Sequence, residues 1–129
     1  MKIKRFAVAV ISAVALLNPG VARADWVYVT SSNNTQFFID DGAVEKRGST
    51  VFYWGKIVFA MPQRDSIKSI TAYSSIDCQN RVARTYELVG YTTAGQTLFN
   101  EELSEQHSLI EKINLGTQGE NIYQTICHN

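Results

Sequence analysis

The sequence predicts a small α+β domain: about six strands, then one C-terminal α-helix, with a disulfide joining helix to sheet. Three observations carry this reading. Apolar and polar residues alternate with a period of two through much of residues 26–99, as they do in strands half-buried in a sheet. After Thr117 the periodicity changes to the i, i+4 spacing of a helix. The chain has two cysteines, Cys78 and Cys127, one in each kind of segment.

Residues 1–24 read as an export signal ahead of a single domain at 25–129. Met1-Lys-Ile-Lys-Arg5 is basic, Phe6 to Leu17 is an apolar run, and Asn18-Pro19-Gly20 breaks it before Ala22-Arg23-Ala24. That order of charge, short apolar segment and A-x-A is a secretory signal, of a bacterial kind. The apolar run is shorter than the roughly 20 residues a bilayer span needs, so no membrane insertion is expected after cleavage. No cysteine lies near the cleavage site, so lipid attachment is not expected, and periplasm or secretion is favoured over the cell surface. Eight basic and twelve acidic residues remain after Ala24, a net charge of −4. An acidic domain without a basic cluster is not expected to bind nucleic acid, and suits a basic partner better.

Trp26 to Val29 is β-branched and aromatic and opens the sheet. Ser31 to Thr35 is turn chemistry, and Phe37-Phe-Ile39 resumes an extended run. Val51 to Phe59 places Phe52, Trp54 and Val58 on one face and Val51, Tyr53, Ile57 and Phe59 on the other, so it belongs mid-sheet. Ile70, Ala72, Ile76 and Cys78 alternate with Thr71, Tyr73, Ser75 and Asp77, which sets Cys78 on the inner face. Gln79-Asn80 is a tight connection to a return strand at Val82 to Thr92, where Arg84 interrupts the inner face in one register. Thr93 to Gln96 is a hairpin turn with Gly95 left-handed, and Thr97-Leu-Phe99 follows. Between Asn100 and Ser108 strand and loop are both open; Leu109, Ile110 and Ile113 are expected to cross the sheet extended.

Thr117-Gln-Gly-Glu120 is a capping box: the Thr117 hydroxyl accepts from the Glu120 amide while the Glu120 carboxylate reaches back to the Thr117 amide. The helix it starts carries Ile122, Tyr123, Ile126 and Cys127 on one stripe. Neither cysteine has a C-x-x-C or C-x-x-H partner, which argues against a metal site. Two cysteines allow one intramolecular pairing, and export takes them where disulfides persist. Cys78–Cys127 is therefore the expected bond, pinning the helix across the sheet.

These residues resemble a family. Trp26-Val-Tyr-Val, Phe38-Ile-Asp40 with Val44 and Gly48, and Val51 to Trp54 are similar to the opening of the surface-adhesin protein E-like domain. Ile76-Asp77-Cys78 with Arg81, and Ile113 with Gly116 to Glu120 and Cys127, match its second half. Ile110 stands where members often carry Trp, and Leu115 where Pro is common. The resemblance implies a bent antiparallel sheet with a C-terminal helix tied across it by this disulfide. Its namesake is a lipid-anchored bacterial surface protein that binds host matrix and plasma proteins, so the implied partner is a host or cell-envelope protein.

Catalysis needs a base, an orienter and a charge stabiliser that converge. His107 and His128 lie in polar surroundings, no Ser occupies a G-x-S-x-G turn, and no glycine-rich phosphate loop occurs. Asp40-Asp41 and Glu101-Glu102 are adjacent on extended chain, so each pair points to opposite faces, and Asp40 is better placed to cap a turn through Gly42. No enzyme, metal or cofactor is expected. Tyr53, Tyr73 and Tyr91 are expected on an outer face, where aromatics favour protein recognition, and Tyr73 and Tyr91 are the candidate binding residues; ordinary half-buried sheet tyrosines are the alternative. The leading expectation is an exported, adhesin-like protein-binding domain. A periplasmic inhibitor or accessory protein of an envelope enzyme is the second class, and a homodimer is left open. Mass spectrometry of the exported protein should show Asp25 as the first residue; an intact Met1 in the exported pool would refute the cleavage.

Overall fold

The structure, a computed structural model, describes residues 24–104 and 108–128, apart from the Asp65 side chain. The export signal through residue 23 and His107 lie outside the described residues. Strands β1 (Trp26–Ser32) and β2 (Thr35–Asp40) make a hairpin whose two-residue turn holds Asn33 at φ 40°. Asp40 then caps a short 3-10 turn by accepting from the Gly42 amide at 3.1 Å, as its place before Gly42 predicts. Strands β3 (Glu45–Arg47), β4 (Thr50–Phe59), β5 (Ser69–Asp77), β6 (Val82–Tyr91), β7 (Thr97–Glu102) and β8 (Leu109–Lys112) follow, and the helix α1 (Gln118–Cys127) ends the chain.

The strands form one sheet in the order β1-β2-β4-β5-β6-β7, every pair antiparallel. The two strands beyond the expected six are short flankers. β3 pairs with Thr50–Phe52 on the edge of β4 whose other half carries β2, and β8 pairs with Val82–Thr85 on the edge of β6 whose other half carries β7. Glu45-Lys46-Arg47 is too polar to show a strand period, which is why the sequence does not announce β3. Leu109 and Ile110 are extended as expected, but each is 58% exposed, because β8 lies at the sheet margin; only Ile113 just after it is buried. The 92–96 turn closes with Gly95 at φ 85° and its amide on the Thr92 carbonyl.

Three ladders carry a bulge. The extra residues are Val29 against β2, Tyr86 against β5 and Leu98 against β6. Each bulge bends its strand and re-aims a side chain. The one at Tyr86 resolves the Arg84 register: Arg84 pairs with Ser75 and faces away from the helix, while Ala83 and Thr85 face it.

The helix covers one sheet face. Phe37, Ile39, Val51, Tyr53, Ile76 and Ile113 meet Tyr123 and Ile126 in a single core. The Thr117 hydroxyl accepts from the Glu120 amide at 3.3 Å, but Glu120 Oε1 accepts from the Gly116 amide at 2.9 Å rather than from Thr117. Gly116, left-handed at φ 76°, turns its amide toward the helix start. That bond, then Arg81, whose guanidinium lies 3.2 Å from Oε2, holds the Glu120 carboxyl below its ordinary pKa. Arg81 also sits 4.3 Å over the Tyr123 ring, and the Tyr123 hydroxyl donates to the Cys78 carbonyl at 3.0 Å. Cys78 and Cys127 are bonded. The β5–β6 turn and the helix are thus joined by four contacts within a few residues. Along the helix, Asn121 Nδ2 donates to Thr30 Oγ1 at 3.1 Å, which ties α1 to β1 as well.

A disulfide spanning 49 positions contributes about 4 kcal/mol in the chain-entropy model. Cys78→Ser should therefore lower the melting midpoint by roughly 15 °C or more, since a domain of this size shifts several degrees per kcal/mol. Non-reducing peptide mapping should recover the linked fragments, and two alkylatable thiols in the native protein would contradict the pairing.

Candidate functional site

Period-two alternation sends the residues between the core positions to the helix-free face. Phe52, Trp54 and Lys56 come from β4; Ser69, Thr71, Tyr73 and Ser75 from β5. β6 adds Arg84, Glu87, Val89 and Tyr91, and β1 and β2 add Trp26, Tyr28 and Phe38. The bulge lets Tyr86 join them: its hydroxyl shares a 2.8 Å hydrogen bond with Ser75 Oγ, and its ring enters the aromatic row.

Four rings make that row continuous. Trp54 and Tyr73 have centroids 5.4 Å apart, Tyr73 and Tyr86 5.8 Å, and Tyr86 and Phe52 6.0 Å, with Phe52 stacked on Tyr73 at 6.2 Å. These separations lie in the range where aromatic pairs attract. Arg47 lies 4.5 Å over Phe52 at one end while its guanidinium grips Glu45 through two 3.0 Å bonds, which pulls the Glu45 carboxyl below its ordinary pKa. Beyond Trp54, Lys56 lies 5.4 Å from the centre of the Trp26 ring. A cleft of about 500 Å³ opens at the Arg47 and Arg84 end, and another of about 510 Å³ at the Trp26 and Tyr91 end. The face is thus an aromatic strip with a cleft at each end, the first lined by Arg47, Arg84 and Asp77 and the second by Lys56 and Lys68.

Tyr73 sits in the middle of the strip and Tyr91 borders the second cleft, both half-buried and on one face. Tyr53 does not join them. It is 6% exposed in the helix-side core, in phase with Val51 and Ile57, and burial pushes its phenol up to about 12 while a hydrogen bond with Ser74 pulls weakly the other way. The alternation along β4 already separates Tyr53 from Phe52 and Trp54, so its place was legible there. Tyr86 was not, because the bulge breaks the period. His128 packs edge-on against Tyr123 at the helix end, 5.5 Å between centroids. Both cysteines are consumed in the disulfide. Among the described residues no three metal-ligating side chains gather, and no helix is long and apolar enough to cross a membrane.

The model of the surface-adhesin protein E family matches residues 26–128, almost all of the described chain. The chain belongs to that family. An antiparallel sheet with a C-terminal helix packed on one face is the fold that membership implies, and solved structures agree with that fold. Crystal form II of Haemophilus influenzae protein E superposes with a TM-score of 0.59 at 15% identity, over 86% of this chain and 93% of that one. Protein E from non-typeable Haemophilus influenzae gives 0.58 at 15%, over 86% and 80%. A further Haemophilus influenzae protein E structure gives 0.58 at 17%, over 86% and 89%. At such identities the likeness shows a shared fold. No curated protein matches the sequence. Within the adhesin E fold of this chain, the helix-covered face is core and the aromatic strip is the surface left over.

The buried Tyr53 carries a pH consequence. Its folded pKa lies above the ordinary 10, so the folded state holds its proton longer than the unfolded chain and stability falls as pH rises from about 10 toward 12. Melting midpoints across that window should decline less steeply in Tyr53→Phe than in the native protein. Parallel curves would mean that the phenol is not desolvated.

Proposed function

We propose that this domain is an exported, non-enzymatic, adhesin-like binding module that engages a host or cell-envelope protein through its helix-free sheet face. The observation that carries the reading is the continuous row Trp54–Tyr73–Tyr86–Phe52 on a face that no element of the described chain covers. Large rigid rings give contact area at low entropic cost, and Tyr, Trp and Arg dominate the residues on which protein interfaces depend. Membership in a surface-adhesin family supports the same assignment. Where the exported domain resides, periplasm or exterior, follows from where its partner is.

A pull-down with the exported protein against serum and envelope extracts should recover a protein partner. Tyr73→Ala combined with Tyr91→Ala should weaken that partner at least about tenfold in surface plasmon resonance, with native circular dichroism and an intact disulfide. Unchanged affinity would remove this face from the interface. Turnover of an envelope substrate by the purified protein would overturn the binding-module reading itself.

A further inference from the structure

Five serine and threonine residues are buried among the described residues. Three have hydroxyl partners: Thr30 accepts from Asn121, Ser74 bonds Thr85 at 3.3 Å, and Ser75 bonds Tyr86. The other two, Ser69 and Thr71, are 8% and 7% exposed, and their hydroxyls have no hydrogen-bond partner among the described residues. A buried hydroxyl without a partner is costly and calls for an explanation. Both line one cleft at the Trp26 and Tyr91 end of the open face, about 510 Å³ with Ala24 at its rim, where cleavage after Ala24 would leave the Asp25 α-amino group. They are two residues apart on β5, paired with Val58 and Lys56 on β4 and with Tyr91 and Val89 on β6, so they point the same way.

We propose that this cleft holds an acidic side chain of the protein partner, with the Ser69 and Thr71 hydroxyls donating to its carboxylate and Lys56 supplying the opposing charge. The proposal rests on the protein-binding reading above and names the chemistry that reading leaves open. Two hydroxyl donors and the Lys56 ammonium suit a carboxylate, and no acidic residue lines the cleft. Neither lysine is in an ion pair among the described residues: Lys68 Nζ donates to the Ala60 carbonyl at 3.0 Å, and Lys56 lies over Trp26. Trp26 and Tyr91 wall the cleft with apolar surface for the methylenes of a glutamate. Asp40 and Glu87 line the adjoining cleft, which shares Trp26, Thr71 and Tyr91 with this one, so a carboxylate is placed on the Lys56 side. The acidic net charge still favours a partner with a basic patch elsewhere on its surface; this cleft takes one acidic side chain.

The test titrates isotope-labelled exported protein with pentaglutamate and, as control, pentaglutamine. The Ser69 and Thr71 amides should shift with pentaglutamate alone. Thr71→Val, which keeps the shape and removes the hydroxyl, should weaken the peptide roughly tenfold, as should Lys56→Gln. Because the Thr71 hydroxyl has no internal partner, the melting midpoint of Thr71→Val should hold or rise. Equal shifts with pentaglutamine, no shift at Ser69 and Thr71, or a lower melting midpoint in Thr71→Val would each overturn the site. The recovered partner separates this inference from the reading beneath it. If Tyr73→Ala weakens that partner and Thr71→Val does not, the carboxylate site falls and the binding face stands. If neither weakens it, the face falls too.

Discussion

The bond between Cys78 and Cys127 decides which side of the sheet is inside. A ten-residue helix is marginal alone, and a sheet that is apolar on both faces of β4 has two surfaces on which such a helix could settle. The disulfide removes that choice. It fixes the last helical residue beside the end of β5, and the Tyr123 hydroxyl on the Cys78 carbonyl fixes the turn before it. Arg81, stacked on Tyr123 and paired with Glu120, fixes the helix start from the same β5–β6 turn. With both ends set, Tyr123 and Ile126 fall over Ile76, Val51 and Tyr53 and close the core.

Covering one face leaves the other with its aromatics, and these are arranged rather than scattered. Alternation supplies Phe52, Trp54 and Tyr73, but on a regular ladder Tyr86 would face the helix. The bulge between Thr85 and Glu87 moves it to the open side, where Ser75 holds its hydroxyl. The same irregularity lets Val82 and Arg84 face out without placing a guanidinium in the core. One extra residue in β6 therefore serves both faces, keeping charge out of one and completing the aromatic row on the other. At the far end the strip passes into a polar cleft, so the surface offers rings and cations side by side.

Much of this was legible in the residues. The pairing of two cysteines, the helix announced by Thr117 and Glu120, the inner face of β5 and the left-handed Gly95 all follow from local chemistry and reappear in the fold. What the period missed lies where the period fails. β3 is too polar to alternate, the reciprocal arm of the capping box lands one residue early at Gly116, and Tyr86 is displaced by a bulge that no local signal marks. Leu109 and Ile110 are apolar yet exposed, because burial there depends on what lies beside β8 and not on β8 itself. Tyr73 and Tyr91 were identifiable as outward-facing, but the rings of the strip belong to three different strands, and composition along one strand cannot assemble them.

The central claim is that the helix-free face, and no other, meets the partner. Hydroxyl-radical footprinting of the free and partner-bound protein reads this directly, side chain by side chain, without substituting a residue. The account predicts that oxidation of Trp54, Tyr73 and Tyr86 falls on binding while Leu115, just before the helix, and Leu109 on β8 keep their free-state rates. Protection of Leu109, Ile110 or the exposed side of the helix, with the aromatic strip oxidised at its free rate, would contradict it.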